Sequence, residues 1–520
     1  VKILVLSLLR LGDFFQQQPL LEELRQEGNE VHVLINEGLA AVPGLFPQFR
    51  FHIFPRETAQ RILAHPQCNA LGAFAAVSEL VDRLNAENFD RIENWTHQTL
   101  SAHLMDLLTA PDKKGARFEN GRLVEAEGGL RYLNENWGPA RAASFQWIDA
   151  VARAMSHTSA RLPSADFHRT GAIYLQVLTS DAKKNWSLDH WRRLADVLVE
   201  QGEDVRILCA PFEEKILREK WGDAFPLCVL GLSDLRESLA TAKLVVTGDT
   251  SVAHLAALQR APVLGIYLGS ADPRKTAPRQ NGARILWAST ACSPCRHRDD
   301  CSQPRHFCGD EMSFETVQQE VMEMIQHGPR ALRPTNVRRF EVLEGSAGAA
   351  VLSEAGQKSM GLWAQVVWDF YLNGDHENPV APYGSAARVL LQRWGNHKET
   401  REWVDGMKER LDVSFGILGN VSETLWTLMR DFNQNSQLSA QAEHGMRTEV
   451  NRLAEMWKET DFVGRLVESN LSSDATPFVR IRQRKESLQE VFDLFSVQKN
   501  LIRVLDQELK ERGAGHGARA

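Results

Sequence analysis

The sequence predicts an α/β protein built from two Rossmann-like domains facing a cleft, followed by a C-terminal all-helical domain. Three observations predict it. An aliphatic strand, Val1-Lys2-Ile3-Leu4-Val5-Leu6-Ser7, runs into Leu11-Gly12-Asp13 and then Pro19-Leu20-Leu21. Far along the chain a second one, Leu244-Val245-Val246, runs into Thr247-Gly248-Asp249-Thr250-Ser251-Val252-Ala253-His254. Beyond residue 345 strand-like alternation gives way to long amphipathic helical patterns. Each of the two strands ends in a small, polar loop that opens a helix. That is where an α/β domain binds ligands, with helix N-terminal amides turned toward phosphate.

In the first domain, residues 1–160, the expected strands are Lys2–Leu6, Glu30–Ile35, Phe51–Ile53 and Phe89–Asn94, with helices over Leu20–Glu27 and Phe74–Ala86. Arg161-Leu162-Pro163-Ser164 reads as a linker. In the second, residues 170–328, a strand over Gly171–Gln176 leads to a helix over Leu188–Gln201 capped by Ser187. Strands follow at Asp204–Cys209, Lys243–Val246 and Val263–Tyr267, with helices from Glu213 and Val252. A helix over Phe314–Gln326 closes this half at His327-Gly328-Pro329. The helical domain, residues 345–512, is expected to hold helices over Leu362–Leu372, Glu402–Leu411, Val421–Phe432 and Ser487–Arg512, with a disordered tail over 513–520. Its tryptophans, Trp363, Trp368, Trp394, Trp403, Trp426 and Trp457, read first as core packing and only second as carbohydrate platforms.

At 520 residues the chain is too long for a single core. Hydrophobic residues at 43% and charged residues at 24% describe an ordinary globular protein. A net charge of −7 argues against nucleic acid as the main partner. No run approaches the roughly 20 apolar residues of a membrane span, and the apolar N-terminal run is short for a signal peptide. A cytoplasmic protein is expected, one that can still work at the inner face of a membrane; peripheral membrane contact and homo-oligomerisation stay open.

Asp13 follows a glycine at the end of the first strand. A carboxylate there can serve as general base if burial raises its pKa, or it can cap the following helix. Thr179 and Ser180 leave the strand at Gln176, and Lys183-Lys184 follow; hydroxyls and an ammonium suit a diphosphate, although a lysine near a helix start is often merely solvated. Asp249, Thr250 and Ser251 precede the helix bearing His254, which is either a ligand contact or a packed structural residue. Glu213 and Glu214 can take a ribose hydroxyl or simply occupy a first helical turn. Four of the seven cysteines, Cys292, Cys295, Cys301 and Cys308, crowd one segment. They suit a structural zinc or iron; the alternatives are reduced thiols or disulfides, which a cytoplasmic setting disfavours.

These pieces occur in the order seen in glycosyltransferase family 9, the lipopolysaccharide heptosyltransferases, which the chain resembles from residue 1 to about 328. Leu11-Gly12-Asp13 with Pro19, Lys184-Asn185-Trp186, Asp249-Thr250-Ser251-Val252-Ala253-His254 and Gly269-Ser270-Ala271-Asp272-Pro273 match its motifs. Some members carry a Cys-x-Pro-Cys cluster at the place of Cys292–Cys308. Departures are Ser251 for the usual Gly, Ser187 for a Pro, and a bulkier Phe14-Phe15-Gln16-Gln17-Gln18 run.

The resemblance implies a GT-B fold, an acceptor-binding first domain and a donor-binding second. It implies inverting transfer from a nucleotide-sugar donor, typically ADP-heptose, with no catalytic metal. Asp13 would then deprotonate the acceptor hydroxyl. Lys184 would balance the departing diphosphate, helped by Thr179 or Ser180 and amides around Thr250. Asp249 and His254 would line the sugar–diphosphate site, and Glu213 or Glu214 would meet the ribose. The acceptor is a cell-envelope glycan or lipid, with a protein such as a flagellin or an autotransporter as the alternative. A non-catalytic scaffold and a GT-B epimerase are the rivals from other classes.

Overall fold

The computed structural model describes residues 1–65, 70–124, 130, 132, 143–288, 290, 292–296, 299–326, 337–345, 349–354, 363–365, 367, 390, 394, 397–430, 436–457 and 477–517. Cys68, Trp368 and the segment His327-Gly328-Pro329 lie outside them. The chain divides into two compact units, Val1–Leu133 with Phe145–Gln357, and Asn134–Ser144 with Lys358–Ala520.

The first unit holds two large sheets and one two-stranded hairpin. In one, β1 (Lys2–Ser7), β2 (Glu30–Asn36), β3 (Arg50–Phe54), β4 (Arg91–Asn94) and β5 (Asp112–Lys114) lie in the order β3-β2-β1-β4-β5, all parallel. Strand β1 is central and covered on both faces, which is why it reads as an unbroken aliphatic run rather than an alternation. Helices α1 (Leu11–Gln26), α2 (Arg56–Ala64), α3 (Ala70–Ala86), α4 (Thr99–Leu107) and α5 (Trp147–Ala154) belong to this half, as does an antiparallel hairpin of β6 (Arg117–Glu119) and β7 (Arg122–Val124).

Helix α1 starts at Leu11 rather than at Leu20, so Asp13 and Pro19 lie inside it. Pro19 removes one backbone donor, yet buried Phe14 and Phe15 anchor the preceding turns. Their rings pack on Phe46 at 5.7 and 6.4 Å, and Phe14 also meets Phe51 at 6.0 Å. The bulk of the Phe14–Phe15 pair therefore fills this half's core. Gly28 at φ +87° ends the helix.

The second sheet has eight strands in the order β10-β9-β8-β11-β12-β13-β14-β15. Its members are β8 (Ile173–Gln176), β9 (Val205–Leu208), β10 (Leu227–Cys228), β11 (Leu244–Thr247), β12 (Val263–Tyr267), β13 (Arg284–Trp287), β14 (Arg338–Glu344) and β15 (Ala350–Glu354). All pairs are parallel except β13–β14 and β14–β15. The strand pattern thus continues past 328 and past 345, and residues up to Gln357 belong to the two-sheet unit. Helices α6 (Leu188–Glu200), α7 (Pro211–Trp221), α8 (Leu232–Thr241), α9 (Ser251–Leu258) and α10 (Phe314–Ile325) accompany the sheet. Ser187 caps α6 as expected, accepting from the Asp189 amide at 3.3 Å.

The second unit contains α11 (His397–Arg430), α12 (Ser436–Met456) and α13 (Pro477–Gly517). The patterns at Glu402–Leu411 and Val421–Phe432 belong, as far as Arg430, to one helix, with Gly416 and Gly419 between them tolerated in a packed helix; residues 431 and 432 lie outside the described ones. The tail expected to be disordered is helical as far as Gly517. Trp363, Trp394 and Trp457 are buried, with Trp403 meeting the first two at ring distances of 5.2 and 4.5 Å. The Trp457 indole N–H donates to Ser414 Oγ at 2.8 Å, so its polar edge is satisfied within the core. The Trp426 side chain lies outside the described residues. No described helix is long and apolar enough to cross a membrane.

One buried pair in the first sheet makes stability depend on pH. His32 Nδ1 and His52 Nε2 lie 2.9 Å apart with their rings stacked at 5.2 Å. Burial holds both imidazoles below their ordinary value, His52 at about 4. At neutral pH both are uncharged in the fold, whereas the unfolded chain binds protons near pH 6.5. Their contribution is therefore complete above pH 6.5 and is lost below it, that of His52 as pH falls toward 4. Thermal unfolding should show a falling midpoint across that window, and His52→Gln should flatten the fall.

Candidate functional site

The carboxyl edges of the two sheets meet through the first turns of α1 and α9. A Cβ at Gly12 would lie 3.3 Å from His254 Cδ2 and 3.5 Å from the Ser251 Cα, so glycine lets the two helices approach this closely. One turn along α1, the amide of Gln16 reaches His254 Nε2 at 3.4 Å. At a second point the Arg236 guanidinium, on α8, donates to the Leu45 carbonyl at 2.6 Å. Across this seam Asp13, from the first half, shares its electrostatic surroundings with Asp249 and Lys184 from the second.

Asp13 is at the third position of α1, and its carboxylate reaches back to accept from the Arg10 amide at 3.2 Å. The residue thus has the geometry of a cap and also lies in the charged cluster. Burial pushes its carboxyl above the ordinary range, and Asp249 pushes it the same way, against the Arg10 amide, Arg10 and Lys184. Lys184 Nζ pairs with Asp249 Oδ2 at 2.7 Å, both side chains nearly enclosed. His254 is buried and held at about 4, chiefly by burial, so it is neutral at physiological pH. Gln16 Oε1 and His254 Nδ1 have no hydrogen-bond partner among the described residues. A neutral imidazole and an amide can both donate and accept, which suits hydroxyl-rich ligands.

Loop packing fixes Lys184. The Thr179 amide donates to Asn185 Oδ1 at 2.8 Å, and Thr179 Oγ1 donates to the Asp181 carbonyl at 2.8 Å. A Cβ at Gly248 would come 2.9 Å from the Thr179 methyl, so the strand-β8 loop and the strand-β11 loop are in contact. Thr250 precedes α9 without capping it; its hydroxyl turns to Thr247 Oγ1 at 2.9 Å. The buried Trp186 indole donates to the Met312 carbonyl at 2.7 Å and anchors the far end of the Lys184 loop. Gly269, at φ +59°, lies over this loop: a Cβ there would be 2.3 Å from the Lys183 carbonyl oxygen.

Of the residues singled out from sequence, Asp13, Lys184, Asp249 and His254 come together, with Thr179 and Thr250 in the adjoining loops and Ser251 opening α9. Ser180 is exposed. Glu213 is buried, and its carboxylate accepts from the Ala210 amide at 2.8 Å, so it serves the start of α7. Glu214 pairs with Arg218 at 2.9 Å on the outer side of that helix. Cys295 lies within electrostatic reach of Cys292, Cys301 and Cys308. Burial pushes the Cys308 thiol up, but hydrogen bonding and charge from His306 outweigh it and hold it below the ordinary range. Among the described residues no three His, Cys, Asp or Glu side chains stand close enough to hold one metal ion. Sequence reasoning passed over Gln16, although it follows Gly12 and Asp13 at four and three residues and so shares their helix face.

Two outcomes follow from this geometry. Gly269→Ala should lose roughly 1–3 kcal/mol of stability in chemical denaturation, from the positive φ and the crowding of a backbone carbonyl. In a carboxyl NMR titration, Asp249→Asn should lower the pKa of Asp13 and Lys184→Ala should raise it, the signs set by the removed charge.

Residues 77–306 match the family model of glycosyltransferase family 9 (heptosyltransferase). Lipopolysaccharide heptosyltransferase 1 of Pseudomonas aeruginosa is 32% identical over 143 residues, 26% of this chain and 39% of that protein. The protein of the same name from Escherichia coli K12 is 24% identical over 295 residues, 52% of this chain and 89% of that protein. The chain therefore spans well under two thirds of the first relative and most of the second. Among solved structures, E. coli heptosyltransferase WaaC with ADP has a TM-score of 0.46 at 18% identity, covering 62% of this chain and 100% of that one. The family match takes in Lys184, Asp249, His254 and most of the cysteine segment, while Asp13 precedes it. The chain carries a glycosyltransferase family 9 domain.

Proposed function

We propose that this chain is an inverting glycosyltransferase that moves a heptose, or a related sugar, from a nucleotide donor to a cell-envelope glycan. The observation that carries the reading is the convergence of Asp13, from one sheet edge, with Lys184, Asp249 and His254 from the other. ADP-heptose as donor follows from the family resemblance, and the curated relatives are heptosyltransferases by name.

In this reading the acceptor hydroxyl oxygen attacks the anomeric carbon while Asp13 takes its proton. The bond from that carbon to the diphosphate oxygen breaks on the opposite face, which inverts the centre. The raised pKa of Asp13 makes it a stronger base than an exposed carboxylate. Charge growing on the leaving diphosphate is met by Lys184, which Asp249 holds in place until the anion arrives. The amides at the start of α9 supply further donors. For the ribose Glu214 is the remaining acidic residue, since Glu213 is committed to its helix start; taking the ribose hydroxyl requires Glu214 to give up its pairing with Arg218.

The cysteine segment supplies the remaining assignment. Four thiolates suit a structural zinc or iron, and their mutual nearness around Cys295 favours it, but the side chains as placed do not close a ligand set. No step of the transfer passes through a metal. Elemental analysis of the purified protein tests the assignment. About one zinc or iron per chain, lost in Cys295→Ser, supports it; metal-free protein overturns it.

A calorimetric panel of ADP, UDP, GDP and their sugar conjugates tests the donor. Selective ADP binding, weakened on the order of tenfold by Lys184→Ala, is expected. Selective UDP or GDP binding would overturn ADP as the donor, and no binding would overturn the transferase reading. Asp13→Asn should keep nucleotide binding while transfer falls about 10²–10⁴-fold.

A further inference from the structure

Lys183, beside the site lysine, does something different from Lys184. Its side chain is only 10% exposed, and its ammonium donates to the Arg296 carbonyl at 2.9 Å and also to the Asp299 carbonyl. Its own carbonyl is met by His306 Nε2 at 2.8 Å. The cysteine segment is thus gripped at 296, 299 and 306, on both sides of Cys301. The grip continues through the neighbouring Gly269 loop, whose carbonyl accepts from the Cys295 amide at 3.0 Å and from Ser293 Oγ at 3.3 Å. On the other side Asp181 ties the same strand-β8 loop together: it accepts from the Lys183 amide at 3.1 Å and from Ser270 Oγ at 2.9 Å. The described parts of three loops, 179–184, 269–273 and 292–296 with 299–308, are therefore joined by hydrogen bonds around the turn that carries Lys184.

We propose that Lys183 is a positioning residue that couples the order of the cysteine segment to the placement of Lys184, so that the segment sets the affinity for the donor nucleotide without touching it. The inference rests on the donor reading given above. Its logic is local. Lys183 and Lys184 are consecutive in a short turn over Ala182–Lys184, so releasing the Lys183 ammonium from two carbonyls frees the turn that aims the Lys184 ammonium. Coupling of this kind is reciprocal: if an ordered segment favours nucleotide, bound nucleotide must order the segment.

Backbone hydrogen exchange between the gripped positions reports on that order whether or not the thiols hold a metal. The test measures deuterium labelling of peptides covering residues 299–308 by mass spectrometry, with and without saturating ADP. In the wild-type chain ADP should slow labelling several-fold. In Lys183→Met, which keeps the aliphatic stem, ADP should bind on the order of tenfold more weakly and leave the labelling rate unchanged at saturation, whereas Lys183→Arg should restore part of both effects. The wild-type labelling experiment stands even if Lys183→Met does not fold. ADP that binds the wild type without changing deuterium labelling of residues 299–308 overturns the inference and leaves the donor reading intact. So does a folded Lys183→Met that binds ADP as the wild type does. If UDP or GDP binds in place of ADP, the donor assignment falls and the same labelling is run with that nucleotide. A chain that binds none of the three overturns both.

Discussion

The closeness of two helix starts governs the rest of this molecule. With no side chain at Gly12, α1 can lie against Ser251 and His254 at the start of α9. That approach brings two acidic residues, Asp13 and Asp249, into one enclosed space. Like charges so placed raise the cost of ionising either one, and the Lys184 ammonium is the local compensation. The arrangement leaves a carboxyl with an elevated proton affinity facing a cation held by another carboxylate. Neither half of the two-sheet unit supplies that combination alone.

A second level of order lies behind the cation. Lys184 is fixed through contacts among three loops, and two of those contacts leave no room for a Cβ: Gly248 against the Thr179 methyl and Gly269 against the Lys183 carbonyl. Packing this close leaves little slack, which suits a group that must meet charge without reorganising. The cysteine segment joins these loops by hydrogen bonds rather than by sequence proximity.

Much of this was legible in the sequence, for identifiable reasons. Buried parallel strands announce themselves as aliphatic runs, and the two motif-bearing edges are the central strands β1 and β11, each covered on both faces. Asp13, Lys184, Asp249 and His254 could be chosen because small residues and helix starts surround them. Short edge strands such as Leu227–Cys228 carry too few residues for a pattern, and they went unread. The antiparallel strands β14 and β15 lie beyond what looked like a closing helix, where no periodicity links them to β13 at Arg284–Trp287, on whose edge they add. Glu213 looked like a ribose ligand because type and position are the same for a ligand and for a cap. Only the location of its acceptor atom separates the two. The nearness of the cysteine segment to the Lys184 loop was likewise invisible, since it depends on loop packing across more than a hundred residues of chain.

The buried carboxylate of Asp149, on α5, takes its partners from far downstream: the Arg279 guanidinium, 130 residues later, and the Ala350 amide at 3.2 Å, 201 residues later. An unpaired carboxylate is costly to bury, so α5 has reason to remain hydrated until both have been synthesised. At about 5–20 residues per second, the last partner leaves the ribosome roughly 10–40 s after Asp149 does. The first half of the protein is thus translated well before both partners of Asp149 exist, so the final hydrogen-bonded seat of α5 is completed only when the last strand of the second sheet has been made.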